Sequence, residues 1–229
     1  MGIQALLSDP LGYLRQILLM LPGILPALIL HECAHGWVAY KLGDPTAKML
    51  GRLSLDPRKH LDPLGTLSMV LLGLGWAKPV PINPRNFKHP RRDDFLVSIA
   101  GVTANCLMFL AGYFVLMLVY YRHWSAIRVT NSVANLLYQM LANFAAINLG
   151  LMVFNLIPVP PLDGFHVLND VILGRSPFAS GQIAQIGRVA LLVLLWTGVL
   201  GSAMSVVENW IMDAVGGAYF SFFQFAGII

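Results

Sequence analysis

Residues 17–40 read ILLMLPGILPALILHECAHGWVAY, a run in which the only ionisable groups, Tyr40 and the weakly polar Cys33 aside, are His31, Glu32 and His35. At about 1.5 Å of rise per residue, 24 helical residues reach roughly 36 Å, against a hydrocarbon layer about 30 Å thick. The run is long enough to cross a bilayer, and it carries HExxH inside the crossing. An unpaired acid near mid-membrane costs about 2.5–3.5 kcal/mol on insertion scales. Zinc binding, worth roughly 10–16 kcal/mol in structural sites, outweighs that cost.

On a helix, residues four apart lie about 40° from one another, so His31 and His35 offer two imidazoles to one point. In this pattern the histidines bind zinc and the glutamate, here Glu32, takes a proton from metal-bound water. Cys33 lies about 200° round from His31 and reads as a packing residue. A chance HExxH on an ordinary soluble helix is the bland alternative, and the hydrophobic setting argues against it.

Composition agrees with a membrane protein. The chain is 57% hydrophobic and 11% charged, with a mean hydropathy of +0.68, whereas soluble domains are about one-quarter charged. The formal charge of +4 reads as membrane topology. No basic tail or aromatic-basic module points to nucleic acid. Cys33 and Cys106 both fall in apolar runs, so no disulfide framework is expected. The first apolar stretch itself carries the metal motif, which does not suit a cleavable signal peptide.

Along the chain, Asp9-Pro10-Leu11-Gly12 opens the first helix with an acidic cap and proline at N1, and Asp62-Pro63-Leu64-Gly65 repeats that device for a shorter one. Pro22 and Pro26 are expected to kink the first span or loosen its early turns. Lys41 to Asp94 is a 54-residue connection holding ten of the fifteen Lys and Arg. Within it, Leu64 to Ala77 is too short to cross and suits a re-entrant segment. Gly75 to Pro84, GWAKPVPINP, has prolines at alternate places and is expected to be extended. Such backbone at membrane depth must be buried in protein or line a wet cavity. Phe95 to Tyr121 is a second span, with Gly101 and Asn105 sharing one face as packing and hydrogen-bonding groups. Asn131 to Leu162 holds a third, stopped by Pro158, Pro160 and Pro161, and Val189 to Val207 is a fourth. The apolar, aromatic tail from Glu208 to Ile229 admits crossing, lying flat or packing on the core. The fold expected is an all-α polytopic membrane protein of about four transmembrane helices plus a re-entrant or extended segment lining the site, as a single unit over 1–229.

These spans put twelve Lys and Arg on one side and three, Arg15, Arg122 and Arg128, on the other. By the positive-inside rule the long connection is cytoplasmic, the termini are outside, and the metal motif lies about 8 Å by helical rise from the cytoplasmic end. Two histidines leave a tetrahedral zinc short of one protein ligand plus water. Asp163 is the only acid between Asp94 and Asp170 and follows the proline break. Alone it reads equally as a solvated turn residue; beside HExxH it is favoured as the ligand.

With HECAH in a membrane helix, GRLSLDPRKHLDPLGT at Gly51 to Thr66, GWAKPVPINP, and FNLIPVPPLDG at Phe154 to Gly164, the chain resembles the site-2 protease family of intramembrane zinc metalloproteases. The resemblance implies one zinc held by His31, His35 and Asp163, with Glu32 activating water. It also implies that Asn155 assists at the oxyanion and that Trp76 to Pro81 offers a strand edge to substrate; an interhelical hydrogen bond is the plainer role for Asn155. Val102 departs from the proline that many relatives carry after the glycine of the second span. No stretch suits the PDZ or CBS domain of some relatives, so a compact core is expected. His60, His89 and His166 read as loop or structural residues. The implied function is a zinc endopeptidase that cuts a membrane-spanning segment of another protein, with the bilayer and a regulatory membrane protein as further partners. A zinc transporter or metal sensor is the rival, but a transport site gains nothing from Glu32.

Overall fold

A computed structural model of the chain describes residues 2–72, 75–127, 132–173 and 181–229. Gly73, Leu74, Arg128 and Arg175, on which parts of the re-entrant and charge-asymmetry readings fall, lie outside the described residues. Nine α-helices are described: α1 Gly2–Ser8, α2 Pro10–Lys41, α3 Thr46–Met49, α4 Pro63–Leu72, α5 Pro90–Ile127, α6 Val133–Asn155, α7 Asp163–Leu168, α8 Gly181–Trp196 and α9 Val199–Phe225. Three of them, α2, α5 (to His123) and α6, are long and apolar enough to cross a membrane. The pair α8 and α9 reaches that standard together, bent by 77° at its break. The chain is therefore an all-α polytopic membrane protein with three, or counting the bent pair four, spanning elements.

Local chemistry sets the ends. Asp9 accepts from the Gly12 N–H at 3.0 Å and Pro10 stands at the first position of α2. Asp62 repeats this for α4, accepting from the Gly65 N–H at 2.8 Å. α2 runs through Pro22 and Pro26 as one helix. The third span stops at Asn155, where the following prolines lack the N–H a helix needs, and α7 starts again on Asp163.

The packed centre is α2, α5 and α6. Val102 and Phe109 of α5 close against Ala145, Leu149, Met152 and Val153 of α6. Val102 sits in this core, and α5 is helical there. A second cluster, Ala39, Phe87 and Val97, ties the end of α2 to the start of α5. A third, Leu162, Leu191 and Leu200, holds the segment before α7 against α8 and α9.

The fourth span differs from expectation. Val189 to Val207 is not one helix: it breaks at Thr197 and Gly198, and Gly198 takes a left-handed φ of 75°. A glycine enters that region without steric cost and ends a helix there. Beyond the break, α9 continues through the tail to Phe225. The tail packs on the core: Phe223 meets Phe114 with ring centroids 5.1 Å apart, and the Tyr219 hydroxyl donates to the Leu110 carbonyl at 2.9 Å.

Residues 75–83 form no helix, and a single 3-10 turn, Pro84–Asn86, follows them before α5. The Lys78 N–H donates to the His60 carbonyl at 2.8 Å, beside an isolated antiparallel bridge of Leu61 with Ala77. Fully buried Asp44 accepts from the Asn83 N–H and the Asn86 amide, each at 2.7 Å. The segment is pinned at both ends and crosses the face of α2 that carries Glu32.

Candidate metal centre

His31 and His35 occupy successive turns of α2, both buried. Their Nε2 atoms are 2.9 Å apart, and Asp163 Oδ2, at the start of α7, lies 3.3 Å from each. Among the described residues these three form the one group of ligand-type side chains converging within 4.8 Å. A tetrahedral zinc with bonds of about 2.0–2.1 Å separates its donors by roughly 3.3 Å, close to this spacing.

The hydrogen bonds on the far sides of the rings decide what the near sides can do. His35 Nδ1 lies 2.7 Å from the Val97 carbonyl of α5, which only accepts, so that nitrogen carries the proton. His31 Nδ1 lies 2.6 Å from Asn105 Oδ1, also on α5, and donates likewise. In the neutral form, rings held this way present a lone pair at each Nε2 atom. Asp163 Oδ2 is buried without a hydrogen-bond partner. Two ring nitrogens and a carboxylate oxygen converging on one point form a donor set suited to a cation.

Gly101 of α5 completes the cradle. A Cβ there would stand 2.7 Å from His31 Nε2 and closer still to His35 Nε2, in the space an ion bridging the two would fill. The glycine read as a packing residue is the wall of the site. The donor set, the orphaned carboxylate oxygen and this gap fit zinc.

Glu32 lies beside the group with Oε2 accepting from the Val80 N–H at 2.7 Å, leaving its other oxygen for a proton. Cys33 turns the other way, its Sγ donating to the Ser54 carbonyl at 3.3 Å near buried His60. Asn155 ends α6 and donates to the Leu151 carbonyl of its own helix at 3.0 Å, one of the two N–H groups its amide offers. His166 pairs elsewhere: its Nδ1 is 2.9 Å from Asp94 Oδ2, tying α7 to α5. The Asp94 carboxylate holds the His166 imidazole above its ordinary range despite burial. Burial and the same carboxylate push the Asp170 carboxyl up to about 7.

Sequence reasoning placed Asn105 on the right face without naming its partner. It missed Asn148, Val97 and Val80; the last two act through main-chain atoms, which leave no side-chain signal.

The family model for peptidase family M50 matches residues 19–196. A Bacillus subtilis (strain 168) protein with the provisional name zinc metalloprotease YwhC is 40% identical over 174 residues, covering 76% of this chain and 78% of that one. Mycobacterial proteins with the provisional name zinc metalloprotease Rip2 align more fully. That of Mycobacterium tuberculosis H37Rv is 28% identical over 214 residues, or 91% of this chain and 78% of its own. That of Mycolicibacterium smegmatis is 27% identical over 213 residues, or 90% and 78%. No solved structure matches.

Asp163→Ala is expected to lower zinc content by removing a donor, and Gly101→Ala to do the same by filling the gap with a methyl group. His166→Ala, on the helix of Asp163 but outside the converging group and paired with Asp94, is expected to keep its zinc. Metal analysis of the purified variants after mild chelation decides; full zinc in Asp163→Ala removes the carboxylate from the ligand set.

Proposed function

Since the chain belongs to peptidase family M50, the site-2 protease family, and is a zinc metalloprotease, we propose that it cleaves a peptide bond within or near a transmembrane segment of another membrane protein. The observation that carries this reading is three converging metal-ligand side chains beside the Glu32 carboxylate, two of them on a helix that can cross the bilayer. One zinc per chain, held by His31, His35 and Asp163, supplies Lewis acidity and makes its water acidic near neutral pH.

Glu32 takes the proton of the attacking water and passes it to the leaving amine. The Val80 N–H orients this carboxylate by holding one oxygen. Peptide bonds in a helical segment are shielded, so the substrate unwinds locally and adds as a strand along residues 76–81. Asn155, with one amide N–H not spent on Leu151, donates to the oxygen that gains charge as the tetrahedral centre forms. The basic connection lies in the cytoplasm, so the site opens to that side of the cell membrane. A regulatory membrane protein is a further partner of this reading. The transporter alternative finds no support in the relatives, and Glu32 has no work in it.

Glu32→Gln is expected to keep zinc and fold while abolishing hydrolysis, because the amide cannot accept the water's proton. Co-expression with membrane-anchored candidate substrates, comparing parent and variant for a new cytoplasmic product, tests it. Cleavage at the parent rate by Glu32→Gln refutes the base assignment.

Asn155→Ala is expected to slow turnover about 10²- to 10³-fold with zinc content, melting temperature and apparent substrate affinity unchanged. Unaltered rates, or slow rates accompanied by lost metal, return Asn155 to a structural role.

For sidedness, a cysteine at Lys88 should react with an impermeant thiol reagent only from the cytoplasm, and one at Ser125 only from the other face. The reverse pattern inverts the orientation.

A further inference from the structure

We propose that Asn148 and Asn105 form a directional amide relay that keeps the proton of His31 on Nδ1, and so keeps Nε2 bare for the metal. The inference rests on the reading of His31 as a ligand and makes both asparagines positioning residues. The relay begins at a group that cannot be reversed. The Phe144 carbonyl only accepts, and Asn148 donates to it at 2.8 Å. With its NH₂ so placed, Asn148 turns Oδ1 toward Asn105, whose Nδ2 donates to it at 3.0 Å. A second irreversible acceptor, the Ala27 carbonyl of α2, lies 3.3 Å from the same Nδ2. Asn105 must then show its oxygen to His31 Nδ1, 2.6 Å away.

Turning Asn105 over would set its oxygen against two acceptors and its NH₂ against Nδ1. His31 would then hold its proton on Nε2, where the metal binds. Both asparagines are fully buried, and a buried polar group facing the wrong partner has no water to restore its hydrogen bond. The orientation of His31 is thus set through Asn105 by the shorter bond to Asn148 of α6, two links from the ring, with the longer contact to the Ala27 carbonyl acting in the same sense. His35 needs no relay, since the Val97 carbonyl anchors it directly. Asn143, also on α6, donates to the Leu19 carbonyl and has no link to either ring; it is the matched control.

The test is the tautomer of His31, read from two-bond ¹⁵N–¹H correlations of the zinc-free, ¹⁵N-histidine-labelled protein in micelles, together with zinc affinity by chelator competition. The parent should show His31 as the Nδ1–H form. Asn105→Leu and Asn148→Leu should each shift it toward Nε2–H and weaken zinc binding about 10- to 100-fold. The double variant should be no weaker than Asn105→Leu alone, because the links act in series, and Asn143→Leu should match the parent. An Nε2–H tautomer in the parent overturns the relay without need of any variant. So does Asn148→Leu with an unchanged tautomer and unchanged affinity, or Asn143→Leu with the same loss. No step uses a cleavage assay, so an inactive protein with an intact relay counts against the proteolytic reading alone.

Discussion

Two imidazole nitrogens lie 2.9 Å apart, each ring's other nitrogen facing an acceptor on the opposite side, a spacing that suits a shared cation. The polar interior of this protein is arranged around that constraint. α5 supplies an acceptor for each Nδ1, from a carbonyl for His35 and from an amide for His31, and withholds a side chain at Gly101 where the ion must fit. α7 brings the charge that complements the ion. In a hydrocarbon layer an unmatched polar group costs several kcal/mol, so the arrangement is stable as a matched whole rather than group by group.

The same logic accounts for the non-helical segment before α5. Backbone without helical hydrogen bonds survives at this depth because other parts of the chain satisfy it. His60 and Arg52 take the Lys78 peptide, Glu32 takes Val80, and Asp44 takes Asn83. The satisfaction of Val80 has a chemical result, since it places a donor on the carboxylate proposed to move a proton. Fold and chemistry meet in a single 2.7 Å hydrogen bond.

Much of this was legible in the sequence because side-chain chemistry carries the signal. HExxH in an otherwise uncharged run announced the helix and a pair of candidate ligands, and one acid after a proline break announced Asp163, whose carboxylate the fold brings within 3.3 Å of both rings. The Asp-Pro-Leu-Gly caps were equally plain. What escaped was main-chain chemistry and long-range pairing. Nothing in the letters shows that the Val97 carbonyl faces His35 or that Asn105 meets Asn148, 43 positions on. The fourth span was read as continuous because a lone glycine within an apolar run is ambiguous until its φ is known. The tail was undecidable for a related reason: its aromatic residues suit lipid and core alike, and contact with Phe114 decides between them.

The supports behind His31 are amides, where zinc proteins commonly use a carboxylate to orient a histidine. A divalent ion held by two neutral imidazoles and one carboxylate, beside a second carboxylate, would sum to zero formal charge. Aspartate at position 105 or 148 would orient the ring as well but leave the cluster anionic in a medium of low dielectric, where isolated charge is costly. Asparagine gives direction without adding charge. A site so composed would be electroneutral as a unit, and the apolar character of the surrounding helices would then bear on residues that touch no ligand.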